Sequence, residues 1–141
     1  MKKYIFPLLI AIFTAIQTFA YDFSAVSPSE HILYYDIISQ EDKTVNVTYE
    51  KNTNEPYENP PVGDLIIPGT VEYDGETYTV IGVGKRYDRP FYNCTKLTSV
   101  TIQEGVKVIG EQAFQSCTKL KKVVLPNSVE ELNYAFAECK N

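Results

Sequence analysis

Three cysteines, one histidine and 18 carboxylates are the side chains of this 141-residue sequence with obvious chemical potential. Cys94, Cys117 and Cys139 stand at intervals of 23 and 22 residues. A zinc site needs cysteines a few residues apart or histidines converging with them, and neither pattern occurs. A nucleophilic cysteine needs an adjacent base. The sole imidazole, His31, belongs to an N-terminal strand region and reads as a strand-edge residue rather than a base. The even spacing instead places the three thiols at one recurring position of a repeating unit, as an inward column of small side chains. Adjacent members of such a column could lie close enough for a disulfide. The odd number then leaves one thiol unpaired or bridging chains.

Other constellations carry less. Gly82-Val83-Gly84-Lys85 resembles a phosphate loop only in part. The full motif needs Gly where Thr79 stands and Ser or Thr where Arg86 stands. Glu41-Asp42 and Glu130-Glu131 are neighbours in loops or on solvated faces, with no evident cleft to raise one carboxyl pKa for glycoside chemistry. Of the 11 tyrosines, Tyr34, Tyr35, Tyr73 and Tyr78 lie on strands and are expected to pack with one ring face while the hydroxyl reaches water. Asn46-Val47-Thr48 and Asn93-Cys94-Thr95 match the glycosylation pattern, which matters only in a eukaryotic secretory route. The formal charge is -5, and it becomes 11 minus 18, or -7, without Lys2 and Lys3. Such a surface repels a phosphate backbone, so nucleic acid is excluded as a partner. No catalytic, cofactor-binding or metal-binding residue is assigned, and the reading is of a protein that is not an enzyme.

The first 20 residues read as an address rather than a fold. Met1-Lys2-Lys3 is basic, Tyr4 to Ile16 is uncharged and almost wholly apolar, and Thr18 and Ala20 place small residues before a cut after Ala20. These are the three parts of a secretory signal peptide. The apolar run is too short to span a bilayer and contains Pro7. A secreted, extracytoplasmic protein is therefore expected, with the membrane involved only through the cleaved leader.

A repeat organises the C-terminal half. Phe91, Cys94, Leu97, Val100 and Ile102 recur as Phe114, Cys117, Leu120, Val123 and Leu125, each displaced by 23. Val106 and Ile109 recur as Val129 and Leu132, and Ala113-Phe114 as Ala135-Phe136 after one residue is dropped. Self-similarity at this period is the mark of a solenoid, whose units bury their apolar faces only by stacking. An earlier copy runs from Leu65 through Ile67, Val71 and Ile81 to Phe91, interrupted by an insertion in which Asp74-Gly75 signals a tight hairpin over 71–80. The inward columns expected are Leu65/Val100/Val123, Ile67/Ile102/Leu125, Val71/Val106/Val129, Ile81/Ile109/Leu132 and Phe91/Phe114/Phe136. Residues 110–116 read as a single short helical turn.

Before the array, residues 32–38 and 44–49 read as two strands joined by a polar turn, and 52–63 as a Pro-rich loop. The division expected is a signal peptide over 1–20, an N-terminal β cap and loop over 21–63, and a solenoid of about three rungs over 64–141. The last rung appears cut short, because the pattern calls for another Leu and strand after Cys139.

The unit Leu97-x-x-Val100-x-Ile102, then Val106-x-x-Ile109-Gly110-x-x-Ala113-Phe114-x-x-Cys117-x-x-Leu120, resembles the BspA-type leucine-rich repeat of secreted bacterial surface proteins. The resemblance covers about 64–141. The lead-in, Leu33-Tyr34-Tyr35-Asp36-Ile37 through the 73–78 hairpin, also resembles what precedes the array in secreted members. Gln103, where the family usually has Pro, and Pro90, in place of Ala before Phe91, depart from the pattern. The resemblance implies a right-handed superhelical solenoid, β-dominant with short helical turns, and a binding role, often adhesion to host proteins or other cells.

Any docking face is expected on the strand side of the coil, at the outward positions Asp64, Ile66, Ser99, Thr101, Lys122 and Val124. The partner expected is a protein, such as a host extracellular or cell-surface protein. The alternative is a structural fragment that self-associates through its open C-terminal edge. An extracellular hydrolase is the remote alternative.

Overall fold

The computed structural model describes residues 20–51, 56–85 and 88–140. The leader peptide expected over 1–20 therefore lies, but for Ala20, outside the described residues. Ten strands follow in chain order: β1 (Phe23–Val26), β2 (Ile32–Ser39), β3 (Thr44–Thr48), β4 (Gly63–Ile67), β5 (Thr70–Tyr73), β6 (Glu76–Val83), β7 (Leu97–Ile102), β8 (Val108–Ile109), β9 (Lys122–Val124) and β10 (Glu131–Leu132). Among the described residues no segment is helical, and no helix is long and apolar enough to cross a membrane.

Two sheets share one core. The first is parallel, in the order β4-β7-β9. Its register sets Leu65 beside Val100 and Val100 beside Val123, with Ile67 beside Ile102. Side chains alternate along a strand, so these positions face inward together, and Leu65, Ile67, Val100 and Ile102 are buried. Leu125 lies just past the end of β9, so its column is not closed by strand pairing. The second sheet runs β1-β2-β3-β6-β8-β10, with β5 on β6. Asp74 and Gly75 take φ of 50° and 74°, the left-handed pair that a two-residue hairpin loop requires, and Tyr73 pairs Glu76 across it.

The column assigned to Ile81 belongs to Val83. Val83 pairs Ile109, and Ile109 pairs Leu132. The reason is a bulge where β6 meets β3: Val45 pairs Val80 but Asn46 pairs Gly82, which leaves Ile81 as the extra residue. The one extra residue shifts the alternation, so the inward positions pass from Tyr78 and Val80 to Val83, and Ile81 is only half-buried. The shift also aligns Val83-Gly84 with Ile109-Gly110. A Cβ at Gly110 would stand 2.9 Å from the Lys85 carbonyl oxygen and 3.1 Å from that of Val83. Glycine follows the apolar residue because the preceding rung's backbone passes there.

The third side of each rung is a corner rather than a strand. Phe91, Phe114 and Phe136 stack, with centroids 4.8 and 5.1 Å apart and ring planes within 12°. The expected helical turn over 110–116 is instead a series of tight turns: Ala113 N–H donates to Gly110 O, Gln115 to Gln112, and Cys117 to Phe114. Gln112 and Ser116 both take φ of 62°, a left-handed conformation that a right-handed helix excludes. It turns the amides toward the next rung, so that Phe114 N–H reaches Ala135 O at 2.8 Å and Ser116 N–H reaches Ala137 O at 2.9 Å.

The N-terminal strands are joined to this stack. β2 and β3 form the expected hairpin, and β1, which the sequence did not reveal, adds antiparallel to β2. β3 then runs parallel to β6. Tyr57, from the Pro-rich loop, stacks on Phe91 at 5.6 Å and 15°. Its hydroxyl donates to Thr48 O at 3.3 Å.

Candidate functional site

The outer face of β4-β7-β9 brings the six expected residues together as two rows. Asp64, Ser99 and Lys122 are register partners, as are Ile66, Thr101 and Val124. Asp64, Lys122 and Val124 are exposed, while Ile66, Ser99 and Thr101 are half-buried. The first row is polar and the second is β-branched, because the strand period places alternate residues of each rung on the same face.

Asp64 is held in place by its neighbours. Its Oδ1 accepts from the Ser99 hydroxyl at 2.6 Å and from the Thr98 hydroxyl at 3.2 Å. The Ser99 bond, then the Thr98 bond, with the Lys122 charge added, hold its carboxyl below the usual range against a small opposing effect of burial. Thr98 was not among the expected residues; it stands next to Ser99 at the start of β7.

The far side of β4 is closed by a turn. Ile66 N–H donates to Ser29 Oγ at 2.9 Å. Ser29 Oγ also lies 3.0 Å from His31 Nδ1, and His31 Nε2 lies 3.0 Å from Val62 O. Val62 N–H also lies 3.4 Å from Nε2, so one ring nitrogen faces the Ser29 hydroxyl and the other the Val62 backbone. His31 is therefore a structural clasp between the first turn and β4.

The remaining residues singled out by chemistry do other work. Lys85 Nζ pairs with Asp36 Oδ2 at 2.7 Å. The Asp36 bond raises the Lys85 pKa, partly opposed by burial. Asp42 Oδ2 accepts from the Ser39 hydroxyl in the β2–β3 turn. Glu130 and Glu131 are exposed. Among the described residues no three potential metal ligands converge. Tyr35 departs from expectation: it is fully buried, its hydroxyl has no hydrogen-bond partner among the described residues, and burial pushes its pKa up. Tyr34 keeps partial exposure, and burial with Glu50 nearby lifts it to about 12. A cleft of about 250 Å³ opens between Pro56-Tyr57-Glu58 and Tyr92-Asn93, with Cys94 at its wall.

One row offers hydrogen-bonding groups and the other methyl-bearing side chains, a combination that suits a protein partner.

No curated protein matches the sequence. A crystal structure of a leucine-rich repeat protein from Bacteroides ovatus is similar at 31% identity and a TM-score of 0.53, over 69% of this chain and 23% of that one. The leucine-rich repeat protein of T. pallidum shares the fold at 23% identity and a TM-score of 0.52, over 74% of this chain and 41% of that one. The chain thus spans less than half the length of either structure. Residues 84–141 match the family described as "BspA type Leucine rich repeat region (6 copies)". That segment is a run of BspA-type leucine-rich repeats.

Proposed function

We propose that the chain is a non-enzymatic binding module that acts outside the cytoplasm and docks a protein through the outer face of β4-β7-β9. The observation that carries this is the assembly of Asp64, Ser99 and Lys122 beside Ile66, Thr101 and Val124 in two registered rows. The family of residues 84–141 supports a role in protein–protein interaction, and the basic-then-apolar start of the sequence supports export. In this reading residues 1–20 are removed, 21–63 form a β cap, and 64–141 wind as a right-handed superhelix. The partner is an extracellular or cell-surface protein, and the effect is adhesion. Three rungs present a small patch, so strong attachment comes from several copies or further rungs.

The test is saturable binding of labelled protein to a host-cell monolayer. Replacing Ile66, Thr101 and Val124 together by Glu should abolish binding while the circular dichroism spectrum and thermal midpoint stay near wild type. Unchanged binding by this folded variant moves the site elsewhere.

A second reading rests on a different observation. Val123, Val124, Leu125 and Leu132 in the last described rung are exposed, beside the open edges of β9 and β10. Such an edge pairs readily with another chain. Concentration-dependent association in sedimentation, lost on Val123→Glu with Leu125→Glu, would favour self-assembly.

A further inference from the structure

The cysteine column takes no part in the docking face, and its geometry is specific. Cys117 Sγ lies 3.2 Å from Phe91 O, the same oxygen that accepts Cys94 N–H at 3.3 Å. One rung on, Cys139 Sγ lies 3.3 Å from Phe114 O, which accepts Cys117 N–H at 3.3 Å. Each of these thiols therefore shares a Phe carbonyl with the backbone N–H of the cysteine one rung earlier. Asn93 N–H to Gln115 O and Ser116 N–H to Ala137 O, both 2.9 Å, tie the rungs together at this corner. Paired strands repeat at about 4.8 Å, and disulfide-linked Cα atoms stand about 4.4–6.8 Å apart. One rung falls inside that window, and two rungs, roughly 9.6 Å, fall outside it.

We propose that the column is a redox-modification site in which Cys117 is the obligatory partner. Oxidation forms one intramolecular disulfide, Cys117–Cys139 or Cys94–Cys117 and never Cys94–Cys139, and leaves the third thiol free. The oxidant is a low-molecular-weight disulfide. Cys139 is the point of entry, being half-buried where Cys94 and Cys117 are buried. Its thiolate attacks one sulfur of the reagent; the reagent's S–S bond breaks, and one reagent thiolate leaves and takes up a proton. Cys117 then gives its proton to solvent. Its thiolate attacks the Cys139 sulfur of the mixed disulfide and expels the second reagent thiolate, which is protonated in turn. The protein loses two thiol hydrogens with their electrons, and the reagent gains both. Attack by Cys94 on the Cys117 sulfur moves the bond one rung toward the N-terminus and frees Cys139. The neighbouring Cys94 side chain, then burial, hold the Cys117 thiol far above the ordinary range. Burial and then Cys117 raise Cys139 as well. Both shifts slow the attacks, and the second is helped by its target sulfur standing one rung away.

The test incubates the full chain with excess oxidised glutathione, alkylates the remaining thiols and maps the peptides by mass spectrometry. Wild type should carry at most one intramolecular bond, always through Cys117. Cys94→Ser should retain Cys117–Cys139, and Cys139→Ser should retain Cys94–Cys117 at a slower rate. Cys117→Ser should stop at the mixed disulfide; Cys117→Ala makes the same test where a buried hydroxyl disturbs the fold. A Cys94–Cys139 bond in any variant, or no intramolecular bond in wild type, overturns the proposal.

Discussion

Phe91 and Phe136 stand at opposite ends of one column of rings, and their surroundings differ. Tyr57 stacks beyond Phe91, and Tyr34 packs on Tyr57 at 5.3 Å, so the column continues into the N-terminal strands. The strands behave likewise: β3 extends the second sheet beyond β6, and Ser29 occupies the free side of β4. At the other end the same repeat positions are open. Val100 is 0% exposed and Val123 37%; Ile109 is 1% exposed and Leu132 43%. Burial is therefore not a property of a position in the repeat. It belongs to a rung with a neighbour on both sides, and at the N-terminal end non-repeating residues supply that neighbour.

The strongest way to break this comparison is to truncate equivalent rings. Phe114→Ala, flanked on both sides, should lose about 3–5 kcal/mol in urea unfolding. Phe136→Ala, stacked on one side only, should lose about 1–2 kcal/mol. Equal losses would show that stacking neighbours do not set the value of the position.

Next in size is Tyr57→Ala, which uncovers Phe91 and removes the bond to Thr48 O; a loss of about 2–4 kcal/mol is expected in the same assay. Alkali sharpens the point. Burial raises the Tyr57 and Tyr35 hydroxyls, and Tyr34 is lifted from 10.0 to about 12. The folded state thus keeps protons that the unfolded chain gives up. Stability should be full below about pH 10 and fall as pH rises from there, measured as the thermal midpoint against pH. A flat profile to pH 12 would contradict the burial of these rings.

The smallest effect is at the β4 edge. Ser29→Ala leaves Ile66 N–H without its acceptor and His31 Nδ1 without its partner, and should cost about 1 kcal/mol. No measurable change would mean that water replaces the clasp freely.

Much of this was legible in the residues. The Asp74-Gly75 dipeptide announced the hairpin because few residues tolerate two successive positive φ values. The Phe, Cys, Leu and Val intervals announced the columns because a rung that stacks must repeat its inward side chains. The alternation in 97–102 announced the outer row because successive side chains of a strand point to opposite faces. The Ile81 column belongs to Val83 instead, because a one-residue bulge shifts the alternation and no residue type in Val80-Ile81-Gly82-Val83 marks where it falls. β1 was missed because Phe23–Val26 is four residues long and shows too little alternation to stand out. Tyr57 carries no periodic signal at all, being one ring in a proline-rich loop. The helical turn was overread because left-handed residues such as Gln112 and Ser116 are not marked by their type.

The sequence by itself determined the period, the inward columns and the two outward rows, because these depend on local alternation and on identical units recurring. Only the tertiary structure decided how the N-terminal end of the stack is covered, which residue bulges, and that Cys117 and Cys139 each share a Phe carbonyl with the N–H of the preceding cysteine. Those outcomes depend on contacts between segments far apart in the chain, such as Tyr57 with Phe91 or Ser29 with Ile66, and no local pattern records which distant surface a loop will reach.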